Sequence, residues 1–335
     1  MVTMQNIADK AGVSKGTVSY VLNGKQKKAR INDKTCTRIL AIADQLGYRR
    51  NAIAQSMKTG KTNIIGFIGG MHCGYCMDII KGINLHLSSK GYMIKLMSTQ
   101  AVENIRQIAR QCVEQRLSGV ICHSLAENEL EIIHKELSPR KIPIVLVDSS
   151  FSHKWSSRVI SDDFTGAQMA TKYLLDNGHR DIIHLTNNLN RGFSRTRYNG
   201  FRATMEEAGL SASDNLCVID INWELTKSIK EIIERQIISR RPTAIFCSSD
   251  PIAMKLIIVA AQNGLTVPND LSIIGYANLD LSEISNPPLT TVSQNFETMG
   301  CKAAEILCSE MEENHDKQEI KLPVELVVRN SVKKI

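Results

Sequence analysis

From Asn63 onward, eight short apolar runs alternate with amphipathic helical patterns, and this alternation restricts the possible fold more than any other feature. The runs lie near residues 64–68, 93–97, 119–122, 143–147, 182–186, 216–219, 244–247 and 272–276. Strands that alternate with helices form parallel sheets with helices on both faces. Two sets of four such runs predict two similar α/β lobes.

The first 61 residues differ from the rest of the chain in charge. They contain twelve lysines and arginines against three aspartates, a net charge of +9, whereas the remainder carries a net charge of −2. A small basic unit joined to a nearly neutral body is typical of a head that binds a polyanion. A solvated basic tail is the alternative, but such a tail would lack the apolar periodicity found here.

The periodicity of this head predicts a helix-turn-helix, in which two short helices are joined by a tight turn. Thr3 and Ser14 are suited to cap the two helices, and Gly12 suits a turn that needs positive φ. A third helix is expected from about Lys34 to Leu46. The residues of this third helix expected to close a small core are Ile39, Leu40, Ala43 and Leu46.

The motifs of the chain resemble those of the LacI/GalR family of bacterial transcription regulators. MQNIADKAGVSKGTVSYVLNG, RINDKTCTRILAIADQLGY and NAIAQSMKTGKTNIIGFI are similar to the head and hinge of that family. RYNGFRATMEEAGL, AIFCSSDPIAMKLIIVAAQNGLTVPNDLSIIGY, NPPLTTVSQ and LPVELVVRNS are similar to its effector-binding body. The resemblance implies an all-α helix-turn-helix head and a two-lobed α/β body like that of periplasmic binding proteins, with parallel sheets and helices on both faces.

The resemblance also implies where the domains begin and end. The segments are a DNA-binding head at 1–48, a hinge helix and linker at 49–62, an N-terminal lobe at 63–160 and 293–320, and a C-terminal lobe at 161–292 and 321–335. The chain is therefore expected to cross between the lobes near residues 160, 292 and 320, and the effector is expected in the cleft at the carboxyl ends of the strands.

The second helix of the head is expected to enter the major groove of DNA. By resemblance, Lys15, Gly16 and Tyr20 occupy its base-facing positions. Many family members have arginine where Tyr20 stands, so the preferred bases should differ; packing within the head is the alternative role for Tyr20. The other DNA contacts expected are Thr3, Thr17, Ser19, Asn23, Arg30, Asn51, Ala54 and Met57. Met57 is expected to act as an apolar wedge in the minor groove.

Candidate effector contacts follow from the same resemblance. Arg197 matches an arginine that grips the effector, Trp223 an aromatic platform, and Asp250 a polar position that accepts from ligand hydroxyls. Tyr75 falls where the first lobe usually presents an aromatic. Each has a structural alternative, because an arginine can serve an ion pair and an aromatic can belong to the core.

Further candidates concern the chemistry of the effector. Asp148 and Asp162 each follow a strand-like run. The family typically has aspartate after IIGY, where this chain has Ala277-Asn278, so Asn278 or Asp280 would have to compensate and a simple sugar becomes a weaker expectation. Arg191 would favour an anionic or phosphorylated effector.

Cys73-Gly-Tyr-Cys76 follows the first apolar run and allows several interpretations. Two closely spaced thiols suit a thioredoxin-type redox centre or a regulatory dithiol, and they could bind a metal. No second cysteine pair or spaced histidine pair completes a metal site. We interpret the pair as loop thiols without a redox role. A thiol-redox-responsive regulator, or a thiol oxidoreductase that uses Cys73 and Cys76, is the alternative.

The sequence therefore predicts a homodimeric transcriptional regulator, a repressor, that binds a pseudo-palindromic double-stranded operator under the control of a small-molecule effector. The effector is expected to be a sugar, a sugar phosphate or another metabolite, and no enzyme activity, cofactor or metal is expected. No run of eighteen apolar residues occurs, and MVTMQNIADK lacks the apolar core of a secretion signal, so a cytoplasmic location without membrane contact is expected.

Overall fold

The computed structural model of the chain describes residues 2–24, 26–49, 62–70, 74–99, 104–187, 189, 192–212, 215–218, 234, 237, 239–312 and 316–335. The chain divides into two compact units, Met1–Thr62 and Asn63–Ile335. Within the described residues, no helix combines the length and the apolar character needed to cross a membrane.

The first unit contains a three-helix head. Its helices are α1 (Met4–Ala11), α2 (Lys15–Leu22) and α3 (Asp33–Gln45). Thr3 caps α1 and Ser14 caps α2, where the Ser14 hydroxyl accepts from the amide of Thr17 at 3.0 Å. Gly12 adopts the expected positive φ, at 65°. The prediction of a helix-turn-helix is confirmed.

The core of the head lies between these helices, with one correction. Ile7, Val18 and Ile39 have no exposed surface. Leu40, expected in the core, is 51% exposed. Ile39 faces the core. Successive residues of an α-helix are rotated by about 100°, so Leu40 is turned towards solvent.

The body contains two sheets, each covered by helices. The strands of the first sheet are β1 (Ile64–Gly69), β2 (Met93–Ser98), β3 (Gly119–His123), β4 (Ile144–Val147), β5 (Ser157–Ser161) and β11 (Glu319–Leu322). The strands of the second are β6 (Ile182–Thr186), β7 (Leu216–Val218), β8 (Ala244–Cys247), β9 (Ser272–Ala277), β10 (Thr290–Ser293) and β12 (Glu325–Val327). The described helices are α4 (Cys76–Ser89), α5 (Ile105–Glu114), α6 (Glu127–Leu137), α7 (Asp163–Asp176), α8 (Gly192–Glu207), α9 (Asp250–Gln262), α10 (Asp280–Ile284) and α11 (Phe296–Glu312), with a 3₁₀ turn at Ser138–Arg140.

The two sheets have corresponding strand orders, β11-β5-β4-β3-β1-β2 and β12-β10-β9-β8-β6-β7. The paired strands run parallel, except that β10 and β12 are antiparallel. Apolar clusters pack on both faces of each sheet: Phe67 and Ile68, adjacent on β1, belong to different clusters. The expected parallel two-lobed architecture is confirmed.

All eight predicted runs are strands, but each sheet has six strands where the sequence indicated four. The additional strands are β5, β10, β11 and β12. Their sequences, SRVIS, TTVS, EIKL and ELV, are short and alternate apolar with polar residues, so none forms a continuous apolar run.

The chain crosses between the two lobes at 161–163, at 293–296 and at 322–325. These crossings lie slightly further along the chain than expected. Ser161 and Leu322 still belong to the first sheet, and Ser293 still belongs to the second. Helix α11 follows the second crossing and packs on the first sheet, where Met299 joins the cluster around Phe67. The crossings bring β5 and β10 to the boundary between the lobes.

Candidate functional site

A cavity of about 230 Å³ lies between the two lobes. Its first-lobe residues are Asp148, Ser149 and Ser150 after β4, Arg158, Ile160 and Ser161 of β5, and Glu319 and Lys321 of β11. Its second-lobe residues are Asp162, Asp163 and Phe164 at the start of α7, and Gly192, Phe193 and Thr196 at the start of α8. The carboxyl ends of parallel strands and the N-termini of the following helices are where α/β sheets bind ligands.

Asp148 is one of two predicted residues that line this cavity. It follows β4 with a positive φ of 50°, and its side chain is 10% exposed. Its Oδ2 lies 3.8 Å from Nε2 of His123, a fully buried residue at the end of β3. Neither ring nitrogen of His123 has a hydrogen-bond partner in the described part of the chain. At 3.8 Å the two side chains are too far apart for a direct hydrogen bond.

Asp162 is the other predicted residue in the cavity wall, and it also has a structural role. It is the N-cap of α7, and its carboxylate accepts from the amide and the hydroxyl of Thr165 at 3.3 and 2.9 Å. A side-chain oxygen that accepts from the first turn in this way stabilises the start of the helix.

Arg197, on α8, lies behind the cavity wall. Its side chain is 6% exposed and forms an ion pair with Asp163 at 2.8 Å. It also donates to the Ser248 carbonyl at 2.6 Å and to the Gln294 side-chain oxygen at 3.1 Å. Its guanidinium carbon lies 3.7 Å from the centre of the Tyr276 ring. Burial raises the pKa of the Asp163 carboxyl, and the positive charge of Arg197 opposes that rise.

Asp250 and Asn278 contact protein groups of the second lobe, and neither lines the cavity. Asp250 has no exposed surface, and its carboxylate accepts from the Thr291 hydroxyl at 2.5 Å and the Leu279 amide at 2.8 Å. The Asn278 side-chain oxygen accepts from Arg329 at 2.8 Å. These contacts fix the loop that follows β9, so the geometry favours a structural role for both residues; their role in effector binding stays a prediction.

Tyr75 lies outside the cavity wall as well. Its ring stacks on Phe296 at a centroid distance of 4.5 Å and meets His123 edge-on at 5.7 Å. The ring therefore packs where the second crossing enters α11. Its half-buried position is that of a first-lobe aromatic near the carboxyl ends of β1 and β3.

The head presents a polar surface on α2. Lys15, Gly16 and Tyr20 are exposed, and Tyr20 retains 46% of its accessible surface, which counts against a core-packing role. Thr17 is hydrogen bonded to the Ser14 hydroxyl, and the Asn23 amide donates to the Ser19 carbonyl at 2.7 Å. The remaining predicted DNA contacts of the described head, Thr3 and Arg30, are exposed.

Comparisons with known proteins cover both units. Residues 3–51 match the family model "Bacterial regulatory proteins, lacI family", and residues 171–332 match "Periplasmic binding protein-like domain". The "HTH-type transcriptional repressor PurR" of Vibrio campbellii is 33% identical over 340 residues, which cover 100% of both chains. The protein of the same name from Photobacterium profundum is 32% identical and covers 99% of both. The chain belongs to the lacI family of bacterial regulatory proteins.

Two solved structures share the fold over the whole chain. The lac repressor dimer bound to operator and the anti-inducer ONPF has a TM-score of 0.82 at 24% identity and covers 99% of both chains. A CelR–cellobiose complex has a TM-score of 0.73 at 23% identity and covers 99% of this chain and 100% of the other. The family match and the repressors related over the full length of the chain show that the protein is a DNA-binding transcriptional repressor controlled by an effector, and that it is not an enzyme.

The alternative function based on the cysteine pair is not favoured in a lacI-family repressor. Cys76 has no exposed surface and belongs to the core of the first lobe. A reactive thiol needs solvent access, which Cys76 lacks in this structure. Six residues singled out in the sequence lie outside the described ones: Asn51, Ala54, Met57, Cys73, Arg191 and Trp223.

Sequence reasoning missed most of the cavity wall. Asp163, adjacent to the predicted Asp162, was within reach of the same signal, since both follow a strand. Arg158 and Glu319 were not, because they meet at 2.7 Å only through the pairing of β5 with β11. His123 is a single histidine at the end of an apolar run, and nothing in the sequence distinguishes it from a core residue.

Proposed function

We propose that this lacI-family repressor binds its effector in the cavity between the two lobes. The main support for this proposal is that both lobes supply polar side chains to the cavity, among them Asp148 from the first and Asp162 from the second. A ligand that touches both lobes stabilises the lobe arrangement in which it makes more contacts. Effector binding and operator binding are then linked reciprocally through the lobe arrangement.

The lining favours an effector rich in hydrogen-bond donors. Arg158 pairs with Glu319 at 2.7 Å, and Asp163 pairs with Arg197, so these charges are already neutralised. The other charged residues of the wall are Asp148, Asp162 and the exposed Lys321, so carboxylates outnumber cations among them. The two carboxylates accept hydrogen bonds from ligand hydroxyl or N–H groups. Three serines, at 149, 150 and 161, add further hydroxyls to the wall.

The cavity also offers aromatic surface. Phe164, 37% exposed, and Phe193 both line it, and their rings suit the face of a sugar or a heterocyclic base. Solved structures with this fold contain cellobiose in CelR and ribose in a regulator from Enterococcus faecium that is 24% identical. We therefore propose an uncharged ring compound bearing hydroxyl or amino groups, in preference to the phosphorylated effector that Arg191 would favour.

A thermal-shift screen with ribose, cellobiose, adenine and guanine tests this proposal. A ligand present at about 100 times its Kd stabilises the protein by about 2.7 kcal/mol, which raises the unfolding temperature by several degrees. Asp148→Asn should weaken binding of the active compound by about tenfold or more, since hydrogen bonds to a charged group are stronger. Asp176→Asn, an exposed change on α7, is the matched control. If the Asp148→Asn variant binds the active compound as tightly as the wild type does, the effector does not bind in this cavity.

For the head, we propose that α2 reads base edges in the major groove of a pseudo-palindromic operator, with Lys15 donating to guanine and Tyr20 contacting a neighbouring base. The exposed polar face of α2 supports this assignment. Such a repressor acts in the cytoplasm, where bacterial DNA lies.

We further propose that the repressor is a homodimer, because both lobes carry large exposed apolar side chains. In the first lobe these are Met77 and Leu85 of α4, and Met93 and Leu96 of the edge strand β2. In the second lobe they include Ile258 of α9 and Leu281 and Ile284 of α10. Large exposed apolar patches mark protein interfaces. A two-fold dimer also provides the paired heads that a pseudo-palindromic operator needs.

A further inference from the structure

The side chain of Gln294 joins two of the three crossings between the lobes. Gln294 directly follows β10, in the second crossing, and is 6% exposed. Its amide nitrogen donates to the Ser161 hydroxyl at 3.0 Å, and Ser161 ends β5 beside the first crossing. Its amide oxygen accepts from Arg197 at 3.1 Å. One amide therefore connects the first sheet, the second crossing and α8 of the second lobe.

These contacts form a continuous chain that begins and ends in the cavity wall. Arg197 donates from Nε to Asp163 at 2.9 Å, and Asp163 opens α7 directly after the first crossing. Ser161 and Asp163 line the cavity, whereas Gln294 and Arg197 lie behind it. We name the four residues Ser161, Gln294, Arg197 and Asp163 the hinge relay.

Burial makes the hinge relay responsive to movement of the lobes. Ser161 is 4% exposed and Arg197 5%, so a broken contact leaves a polar group without water. An unpaired buried donor or acceptor is unfavourable, which disfavours intermediate positions of the crossings. A ligand group that bonds to Ser161 or Asp163 competes with, or reinforces, the contacts to Gln294 and Arg197.

We infer that Gln294 and Arg197 are positioning residues that transmit occupancy of the cavity to the crossings between the lobes. Arg197 acts through Asp163 and Gln294, since its guanidinium is engaged by Asp163, Ser248 and Gln294 and stacked on Tyr276. Asp163 and Ser161 face the effector. This inference rests on the proposed function, in which the effector binds in the cavity between the lobes.

The test uses the full-length chain and operator duplexes that the wild type selects from a random pool. Ser161→Ala removes the acceptor of the Gln294 amide, and Gln294→Met removes both contacts at similar side-chain length. Each variant should change operator Kd by about fivefold or more, because the contacts that it removes bias the arrangement of the lobes. The double variant should resemble Gln294→Met alone, because the two residues act through one contact.

A matched control and a stability measurement separate coupling from folding. Ser156→Ala also removes a buried serine hydroxyl beside β5, but Ser156 neither lines the cavity nor belongs to the hinge relay, so its operator Kd should stay within about twofold of wild type. Hydrogen exchange of the 293–296 amides should rise in Ser161→Ala, although the substitution lies in the other crossing. The inference is overturned if Ser161→Ala and Gln294→Met keep wild-type operator affinity and wild-type exchange at an unchanged unfolding temperature.

Failure of the proposed function gives a different result. If the wild-type chain selects no duplex, the DNA-binding proposal fails before the variants are compared. If ribose, cellobiose, adenine or guanine binds with equal affinity to wild type and Asp148→Asn, the cavity is not the effector site. If the wild type binds operator and the relay variants behave like the wild type, only the inference about the hinge relay fails, and the proposed function stands.

Discussion

Gly192 and Ser150 approach each other across the two lobes so closely that a Cβ on Gly192 would lie 2.3 Å from the Cβ of Ser150. Gly192 begins α8 in the second lobe, and Ser150 belongs to the loop after β4 in the first. Both residues line the cavity. The observed arrangement of the lobes at this edge of the cavity therefore requires a residue without a side chain.

The first prediction concerns this contact. Gly192→Ala should destabilise the protein by about 1–3 kcal/mol, the usual cost of overpacking, although alanine is the better helix former. Gly74→Ala is the matched control, because a Cβ there would meet no atom within 4 Å. Urea unfolding of both variants measures the difference. Equal unfolding free energies for the two would show that the lobes separate at this point without cost.

The strands β6 and β10 show how much of the fold could be predicted from the sequence. The run IIHLT of β6 was predictable because a buried parallel strand needs a continuous apolar sequence. The strand TTVS of β10 was not, because its threonines are buried through contacts such as that of Thr291 with Asp250. Local periodicity reports burial against a neighbouring element, and it contains no information about polar partners distant in the chain.

The cavity shows the same division. Asp148 was predictable as the polar residue after the apolar run 143–147, and Asp162 as the polar residue after the short segment SRVIS, which was not among the eight apolar runs. The partners of Arg197 were not, because Asp163, Ser248 and Gln294 lie 34, 51 and 97 residues away. Resemblance to the family predicts that this arginine grips the effector, and only the fold shows that it donates to Asp163 and Gln294 of the crossings between the lobes.

The second prediction concerns His184 of β6, which packs against Phe246 and Phe201 at centroid distances of 4.8 and 5.3 Å. Burial, with a smaller contribution from the charge of Arg197, lowers the pKa of His184 to about 3. Below about pH 6.5 the unfolded chain binds a proton at this histidine and the folded chain does not. This group should therefore reduce stability by up to about 1.4 kcal/mol for each pH unit between about 6.5 and 3.

Urea unfolding at several pH values measures this effect. His184→Leu should flatten the pH dependence of the unfolding free energy. Between neutral pH and about pH 5, the unfolding free energy of the variant relative to wild type should rise by about 2 kcal/mol. Burial also lowers the pKa of His179, so some pH dependence should remain in the variant. A variant whose stability falls as steeply as that of wild type would place the acid sensitivity elsewhere.

The third prediction concerns DNA recognition by Lys15. Lys15→Ala should weaken operator binding by about 1–3 kcal/mol and reduce discrimination at one base pair. The head should keep its stability, because Lys15 is exposed and lies outside the apolar core. Fluorescence anisotropy with the selected operator and single-base variants measures both effects. Lys172→Ala, on α7 of the body, removes the same charge as a control. A uniform loss across all base variants would instead indicate a phosphate contact.

The fourth prediction concerns the proposed dimer. Ile284 of α10 is 76% exposed, the largest exposed fraction among the large apolar side chains that the structure describes. An aspartate in the centre of an apolar interface leaves a buried charge without a partner, so Ile284→Asp should shift the protein from dimer to monomer. Sedimentation equilibrium measures the shift from dimer to monomer, and the helical content of the variant should stay unchanged.

Val218→Asp, on the edge strand β7 of the second sheet, is the matched control, since Val218 is 42% exposed and lies on neither α9 nor α10. It should remain dimeric. Operator affinity should fall with the dimer in Ile284→Asp, because a monomer presents one head to a site built of two halves. A dimer that survives Ile284→Asp would show that α10 faces solvent, and the association would then depend on the apolar residues of α4, β2 and α9.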